Sequence, residues 1–180
     1  MAENLFQQLK ALYSKQFELR QLEHKDFEPL FSVASNPKVW EQHPEQDRWK
    51  LDKFQRFFDG ALENSLPSYT IIDREQSLII GSSRYYDYHP ERSALSIGYT
   101  YIDPSYWGTN ANQEIKTIML ATAFKFVDKV CFDIGPNNFR SRRAVEKIGA
   151  SFSHAVDENK VVYVLTADSC NLDLESDLLR

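Results

Sequence analysis

The segment Ser105–Lys116, "SYWGTNANQEIK", connects an alternating apolar stretch that ends in "YIDP" to a long apolar stretch typical of a helix. A turn that runs into a helix presents unpaired backbone N–H groups at the positive end of the helix dipole, where phosphate-like anions bind. Gly108 lets a ligand approach the backbone closely, Asn110 tolerates a left-handed conformation, and Asn112 can cap the helix. On these residues alone, two interpretations have equal support: an anion-binding site, and a loop with an asparagine cap that binds no ligand.

Composition limits the class of protein. The chain has 180 residues, of which 42% are hydrophobic and 13% aromatic, enough for one domain with a sizeable core. The net charge of -5 argues against a general nucleic-acid or anionic-membrane binder. Cys131 and Cys170 form no disulfide framework, and no apolar run approaches the roughly 20 residues of a membrane span. Because the start also lacks the features of a secretory signal, we expect a cytoplasmic protein.

Hydrophobic spacing predicts the order of the secondary-structure elements. Residues 1–16 are predicted to form an amphipathic helix, because Leu5, Leu9 and Leu12 recur at helical spacing. Residues 17–166 alternate strands and helices as a single mixed α/β domain, and the acidic residues 167–180 are predicted to be a flexible tail. Strands are predicted at "FELRQL", "SYTIID", "SLIIGSSRYY", "ALSIGYTYI", "KVCFDI" and "KVVYVLTA", and helices at "HKDFEPLFSVAS", "DRWKLDKFQRFFDGAL", "EIKTIMLATAFKFVD" and "SRRAVEKIG".

A second motif, "NNFRSRRAVEKIGA", follows the strand "KVCFDI". Asn138 and Gly149 bracket a short helix, and Ser141 is an N-cap or first-turn residue. Arg140, Arg142 and Arg143 add positive charge at the start of this helix. A capped surface helix with solvated arginines would explain the motif equally well.

Taken together, the two motifs resemble the GCN5-related N-acetyltransferase (GNAT) superfamily, and more closely its branch of ribosomal-protein N-terminal acetyltransferases. The resemblance covers Phe17 to Thr166 and rests on "RYYDYHPERSALSIGYTYIDPSYWG", "NxExK" and "NxxSxxxxEKIGA". It implies a mixed, mostly antiparallel sheet that is flanked by helices and splays apart at the cofactor site. It also implies an N-acetyltransferase that moves an acetyl group from acetyl-CoA to a primary amine.

The resemblance assigns cofactor contacts to two loops and one strand. In the family, the backbone amides of a Gln/Arg-x-x-Gly-x-Gly/Ala loop hold the pyrophosphate. Here Asn110 takes the place of its first glycine and Asn112 that of its second small residue. The strand residues from Tyr99 to Ile102, Tyr101 among them, would pair through their backbone with the pantetheine arm, and an amide near Ile102 would polarise the acetyl carbonyl. Lys116 would either support a phosphate or lie on the helix surface, which is the position we expect. The implied loop residues are Trp107, Gly108, Thr109, Asn110, Ala111 and Asn112, and the implied second-motif contacts are Asn138, Ser141 and Arg142 or Arg143.

Catalytic groups are harder to assign. The acceptor amine must lose its proton before it attacks, so a base or a water relay helps at neutral pH. Val145 stands where many relatives have a tyrosine acid, and Ser96 where several have a glutamate base. The resemblance to the relatives nearest the ribosomal-protein enzymes implies Ser141 as the substitute acid. Glu41 and His43 are candidate bases acting through water, with a solvated loop as the alternative. The four histidines show no metal-ligand spacing, so no metal is predicted.

Three hypotheses follow from the sequence. The first is an acetyl-CoA-dependent N-acetyltransferase, acting by direct transfer as a monomer or homodimer, with no nucleic-acid or membrane partner. The second is a module that binds CoA or acyl-CoA with weak or no catalysis, which Val145, Ser96 and Asn110 motivate. The third is an RNA- or ribosome-associated module that uses the arginines of the second motif, which the negative net charge disfavours.

Overall fold

Eight strands form one sheet in a computed structural model that describes residues 8–174. The strand order is β1-β2-β3-β4-β5-β6-β8-β7, and all neighbours are antiparallel except β5 and β6. The strands are β1 (Ala11–Tyr13), β2 (Phe17–Gln21), β3 (Ser68–Asp73), β4 (Leu78–His89), β5 (Ala94–Ile102), β6 (Lys129–Ile134), β7 (Ser151–Asp157) and β8 (Lys160–Thr166). Four α-helices lie within these residues: α1 (Phe27–Ala34), α2 (Leu51–Leu62), α3 (Ala111–Ala123) and α4 (Phe139–Lys147). The predicted mixed α/β sheet flanked by helices is confirmed.

Two clusters of buried side chains hold the helices on the sheet. The larger cluster joins α3 and α4 to the strands, and ten of the thirteen residues of α3 are buried, as the apolar segment predicts. The smaller cluster joins α1 and α2 to the sheet through side chains such as Leu30, Phe54 and Tyr101. Burial of this apolar surface from both sides is the main favourable term in the stability of the sheet.

The sheet opens between β5 and β6, as the resemblance implies. The two strands pair only through Ala94–Ser96 and Lys129–Cys131, although β5 continues to Ile102 and β6 to Ile134. Within the unpaired part of β5, Tyr99 has φ of 53°, and the register between β4 and β5 shifts nearby. Such a bulge bends the strand away from its neighbour. The backbone of β5 beyond Ser96 therefore lacks a strand partner on the β6 side.

The N-terminal helix prediction is wrong where the structure can test it. Ala11–Tyr13 forms strand β1, which pairs antiparallel with Glu18–Arg20 of β2. Leu12 is buried in the larger cluster, so pairing and core contacts override the local helical spacing. Residues 1–7, where the rest of the predicted helix falls, lie outside the described residues.

The segment after β8 also differs from the prediction. Residues 167–174 do not leave the domain: Asn171 N donates to the carbonyl of Ile148 at 2.9 Å, and Cys170, Leu172 and Leu174 pack on the larger cluster. These three apolar side chains are spaced two apart in an otherwise acidic segment, a weak signal that charge obscures. Residues 175–180 of the predicted tail lie outside the described residues.

Candidate active site

A cleft of about 250 Å³ occupies the opening between β5 and β6. Its walls come from β5, β6, the turn before α3, the start of α4, and the segment between α1 and α2. Among the residues predicted from the sequence, those that line it are His43, Tyr101, Ile102, Trp107, Gly108, Thr109, Asn112, Asn138 and Ser141. Glu41, Asn110, Ala111 and Arg143 do not line it.

The turn before α3 is held open by Gly108. Its φ of 77° lies in the region that favours glycine, and a Cβ placed there would meet nothing within 4 Å, so the approach to this backbone is unobstructed. The backbone N–H groups of Asn110, Asn112 and Gln113 have no hydrogen-bond partner among residues 8–174. This is the arrangement in which a helix start binds phosphate.

The two asparagines of this turn have other roles than expected. Asn110 has φ of -78°, because Gly108 already supplies the positive φ that the turn needs. Asn112 lies inside the first turn of α3 and does not cap it. Asn110 is the N-cap residue but makes no hydrogen bond through its side chain to the helix start. The preceding Thr109 Oγ1 instead accepts from Ala111 N at 3.2 Å and donates to the Tyr106 carbonyl at 2.7 Å. Thus neither asparagine side chain caps α3.

The start of α4 is fixed by Asn138. Its Oδ1 accepts from the backbone N–H of Ser141 at 3.1 Å, so Asn138 is the N-cap and Ser141 a first-turn residue. The side chain of Ser141 is half-buried in the cleft wall. Of the two arginines proposed for the 3′-phosphate, Arg142 donates to Tyr163 Oη at 2.9 Å and to the Pro136 carbonyl at 2.9 Å. Arg143 is exposed outside the cleft.

Arg140 connects the two motifs at the open end of the cleft. The sequence does not predict this contact. Its guanidinium lies 3.8 Å from the centre of the Trp107 ring, and its Nη1 is 3.6 Å from Glu41 Oε1. Lys38 approaches the same ring at 5.7 Å. Such cation–π contacts stabilise an aromatic side chain that would otherwise be mobile in a turn. Glu41, a predicted base, therefore pairs with Arg140 at the rim and does not reach the cleft interior.

His43 lines the cleft, but its surroundings make it a weak base. Burial and the nearby Arg48 guanidinium lower the pKa of His43 to about 4, so the imidazole is neutral at pH 7. Its Nδ1 lies 3.0 Å from Glu45 N, and its Nε2 lies 3.2 Å from Arg48 Nη1. A neutral imidazole has one acceptor nitrogen, so only one of these two contacts is a hydrogen bond.

Two buried arginines and a group of aromatic rings pack together on the α2 side of the cleft, and Arg48, Tyr99 and Tyr101 of this group line it. Arg48 lies over Phe57 at 4.7 Å, and Arg84 lies over Tyr99 at 4.0 Å. Burial and the second guanidinium lower the pKa of Arg84 to about 10. The hydroxyl of Tyr101 is buried and has no hydrogen-bond partner within the described chain. Nothing in the sequence distinguishes these arginines from surface residues.

Lys116 is buried, contrary to the expected surface position. It is 7% exposed, lines the cleft, and donates from Nζ to Thr100 Oγ1 at 2.8 Å. Burial lowers the pKa of Lys116 from 10.5 to about 7. Val145, at the position of the family's tyrosine acid, is also buried in the cleft wall, and Ser96 is buried at the end of the paired part of β5.

Residues 8–174 contain neither a metal-binding cluster nor a membrane-spanning helix. No group of three or more His, Cys, Asp or Glu side chains there is arranged to hold a metal ion. None of the helices in this range combines the length and apolar character needed to cross a membrane.

Comparison with known proteins identifies the fold and the domain. The family model described as the acetyltransferase (GNAT) domain matches residues 16–151. No curated protein matches the chain by sequence. Among solved structures, a probable acetyltransferase (GNAT family) from Chromobacterium violaceum has a TM-score of 0.77 at 19% identity, over 89% of this chain and 87% of that one.

Two further structures show the same fold. A GCN5-related N-acetyltransferase from Brucella melitensis has a TM-score of 0.71 at 18% identity, over 89% of this chain and 80% of that one. A candidate ribosomal-protein-serine acetyltransferase from Vibrio cholerae has a TM-score of 0.70 at 14% identity, over 87% of this chain and 97% of that one. The fold is thus shared with proteins of very different sequence.

Proposed function

Because the chain belongs to the acetyltransferase (GNAT) domain family, we propose that it transfers the acetyl group of acetyl-CoA directly to a primary amine. The family uses acetyl-CoA as its cosubstrate. The observation that supports the proposal most is the cleft between β5 and β6, with the turn at Gly108 at its exposed end. Such a cleft offers a strand edge and a helix start to one elongated ligand.

The residues around the cleft fit acetyl-CoA. The partner-free amides of Asn110, Asn112 and Gln113 would hold its pyrophosphate, and Gly108 leaves room for the approach. The unpaired edge of β5, from Ile97 to Ile102, would hydrogen-bond the pantetheine arm as a strand edge binds a peptide. When bound, the cosubstrate supplies a thioester, whose carbonyl carbon accepts the attacking amine.

Positive charge in the cleft favours the reactive form of the acceptor. An ammonium group cannot attack, and neighbouring cations lower its pKa while burial lowers it further. Arg48, Lys116 and Arg140 line the cleft, and Arg140 also lies over the Trp107 ring. We infer that this environment, together with water, releases the acceptor proton, which suits a site whose only histidine is a weak base.

The acceptor is either a protein N-terminus or a small-molecule amine. The sequence motifs that resemble the ribosomal-protein N-terminal acetyltransferases, and the fold shared with the protein from Vibrio cholerae, support the first class. The small volume of the cleft, about 250 Å³, supports the second. An acceptor panel has to include both.

A second candidate function is a CoA-binding or acyl-CoA-binding module with weak catalysis. Val145 and Ser96 support it, because they place a methyl-bearing side chain and a buried hydroxyl where relatives carry an acid and a base. The two functions make the same prediction for binding and opposite predictions for turnover.

The test combines binding with thiol release. We expect acetyl-CoA at about 100 times its Kd to stabilise the protein by roughly 2.7 kcal/mol in thermal unfolding. We then expect thiol release with at least one member of a panel of N-terminal peptides, amino acids and polyamines, with the acetylated amine identified by mass spectrometry. Binding without release for any acceptor would favour the binding module. No stabilisation at millimolar acetyl-CoA would contradict both functions.

A further inference from the structure

Lys116 is a buried cation without an anionic partner. Among the described residues no carboxylate forms an ion pair with it, and the phenyl ring of Phe132 lies 5.9 Å from its Nζ. A methionine or leucine would fill the same position in α3 without the free energy that burying an ammonium group requires. Stability therefore does not explain why a lysine occupies this position, and a functional role is the alternative.

The hydrogen bonds of Lys116 leave part of the ammonium group available. Nζ has three donor positions, and one is used on Thr100 Oγ1. Thr100 Oγ1 is in turn 2.7 Å from Ser83 Oγ, so this contact fixes the lysine against β5 and β4. The remaining donors have no partner in the described part of the chain, and the side chain lines the cleft. Lys116 Nζ can therefore donate a hydrogen bond or a proton to a ligand in the cleft.

The depth of Lys116 identifies the part of the ligand that it meets. Gly108, Thr109 and Asn110 are exposed, so phosphate groups at this turn remain at the surface. Lys116 is buried and contacts β5 at Thr100, within the strand edge along which the pantetheine arm would lie. With the pyrophosphate at this turn, the thioester would be the end of acetyl-CoA that enters the cleft, and its sulfur would lie towards Lys116.

The charged side chains of the cleft, and the candidate acids that the sequence suggested, are poorer donors than Lys116. The charged groups that border it are Arg48, Asp133 and Arg140, which pair with Glu45, Lys160 and Glu41 respectively. His43 is neutral, and burial raises the pKa of the Tyr101 hydroxyl. Val145 has no proton to donate. Ser141 is an alcohol with a pKa far above that of a thiol, and it would need a second group to donate at neutral pH.

We propose, on the basis of the proposed function, that Lys116 is a catalytic residue whose ammonium group donates a proton to the CoA sulfur as it leaves. The acceptor nitrogen forms a bond to the acetyl carbon, the carbon–sulfur bond breaks, and the sulfur takes the proton from Lys116 Nζ. The nitrogen loses one proton to water, and Lys116 regains one from solvent. The products are the amide and the free thiol, so atoms and charge balance.

The test measures the thiol of bound CoA and needs no acceptor. Thiolate absorbs more strongly than thiol in the ultraviolet, so the pH-dependent difference between bound CoA and bound S-methyl-CoA, which has the same adenine but no ionisable thiol, gives the ionised fraction. An ammonium beside the sulfur stabilises the thiolate. At pH 7 we expect the thiolate fraction in the wild type to exceed that in Lys116→Met about tenfold. Lys116→Arg, which keeps the charge but is too weak an acid to give up its proton at neutral pH, should restore most of the thiolate fraction and leave turnover as low as in Lys116→Met.

Matched controls separate the inference from the proposed function. Lys125→Met removes an exposed lysine just after α3 and should leave the thiolate fraction unchanged. CoA affinity, measured by calorimetry, should change less than about threefold in Lys116→Met, and turnover with any acceptor found should fall about 100-fold. Equal thiolate fractions in wild type and Lys116→Met, or loss of CoA binding in a folded Lys116→Met, would overturn the role of Lys116. Failure of the wild type to bind CoA would instead contradict the proposed function.

Discussion

Replacement of Lys116 by methionine should stabilise the protein in a pH-dependent way. The pKa of Lys116 is about 7 in the folded protein and 10.5 in an exposed lysine, a difference equivalent to about 5 kcal/mol. The unfolded chain binds the proton more readily, so between these two pKa values it carries more protons than the native state. The stability of the wild type therefore rises with pH from about 7 to 10.5, and the penalty is present in full below pH 7.

The measurement is urea unfolding of the wild type and Lys116→Met at pH 6 and pH 9. Proton linkage at a single site predicts a penalty of about 5 kcal/mol at pH 6 and about 2 kcal/mol at pH 9. The stability advantage of the variant should thus shrink by about 2.5 kcal/mol between the two pH values. Comparing the two proteins at each pH removes the contributions of all other titrating groups.

A variant less stable than the wild type, or equally more stable at both pH values, would refute this account of Lys116. If Lys116→Met were less stable than the wild type at pH 6, the ammonium group would have a stabilising partner that residues 8–174 do not provide. An advantage independent of pH would mean that the lysine titrates near its ordinary pKa and is hydrated. Lys125→Met is the matched control, because its exposed side chain predicts a change within about 0.5 kcal/mol at both pH values.

Three further predictions concern the cleft and its support. His43 should lower the free energy of unfolding by up to about 3 kcal/mol as pH falls from 6.5 to 4, because the unfolded chain protonates this histidine while the folded protein keeps it neutral, and His43→Gln should lose less in the same urea titrations. Arg140→Ala should change the fluorescence of Trp107 and weaken CoA binding about tenfold in calorimetry, and unchanged emission would show that the stacking is absent in solution. Gly149→Ala should destabilise the protein by about 2–4 kcal/mol, because φ is 102° and the added Cβ would overlap a neighbouring carbonyl, whereas Gly60→Ala at an exposed position of α2 should change thermal stability by less than about 1 kcal/mol.

The strands and helices of the central domain were predictable because their local signals agree with their environment. The alternating segments became β2 to β6 and β8, and the segment with apolar residues on most faces became α3, ten of whose residues are buried. The opening between β5 and β6 followed from the resemblance to a family, not from periodicity. Strand β7 was missed because all its residues are exposed and its sequence carries no burial pattern.

The site could be predicted only where backbone chemistry determines it. Gly108 and Asn138 have roles that glycine and asparagine take for local reasons, a positive φ and a helix cap. Lys116, Arg48 and Arg140 depend on which helix or loop lies opposite them, and a charged residue in a sequence is most simply assigned to the surface. Burial of such residues is a property of the tertiary structure, and no local pattern encodes it.

Direct titration of acetyl-CoA into the protein tests the central claim. Calorimetry should show saturable binding at one site of the wild type, and Gly108→Pro should bind at least about 100-fold more weakly. Proline removes an amide and fixes φ near -65°, whereas the turn requires 77°. Thermal unfolding of the variant checks that this change in an exposed turn leaves the domain folded. No binding to the wild type, or equal binding to a folded Gly108→Pro, would contradict the assignment of this turn and cleft to the cosubstrate.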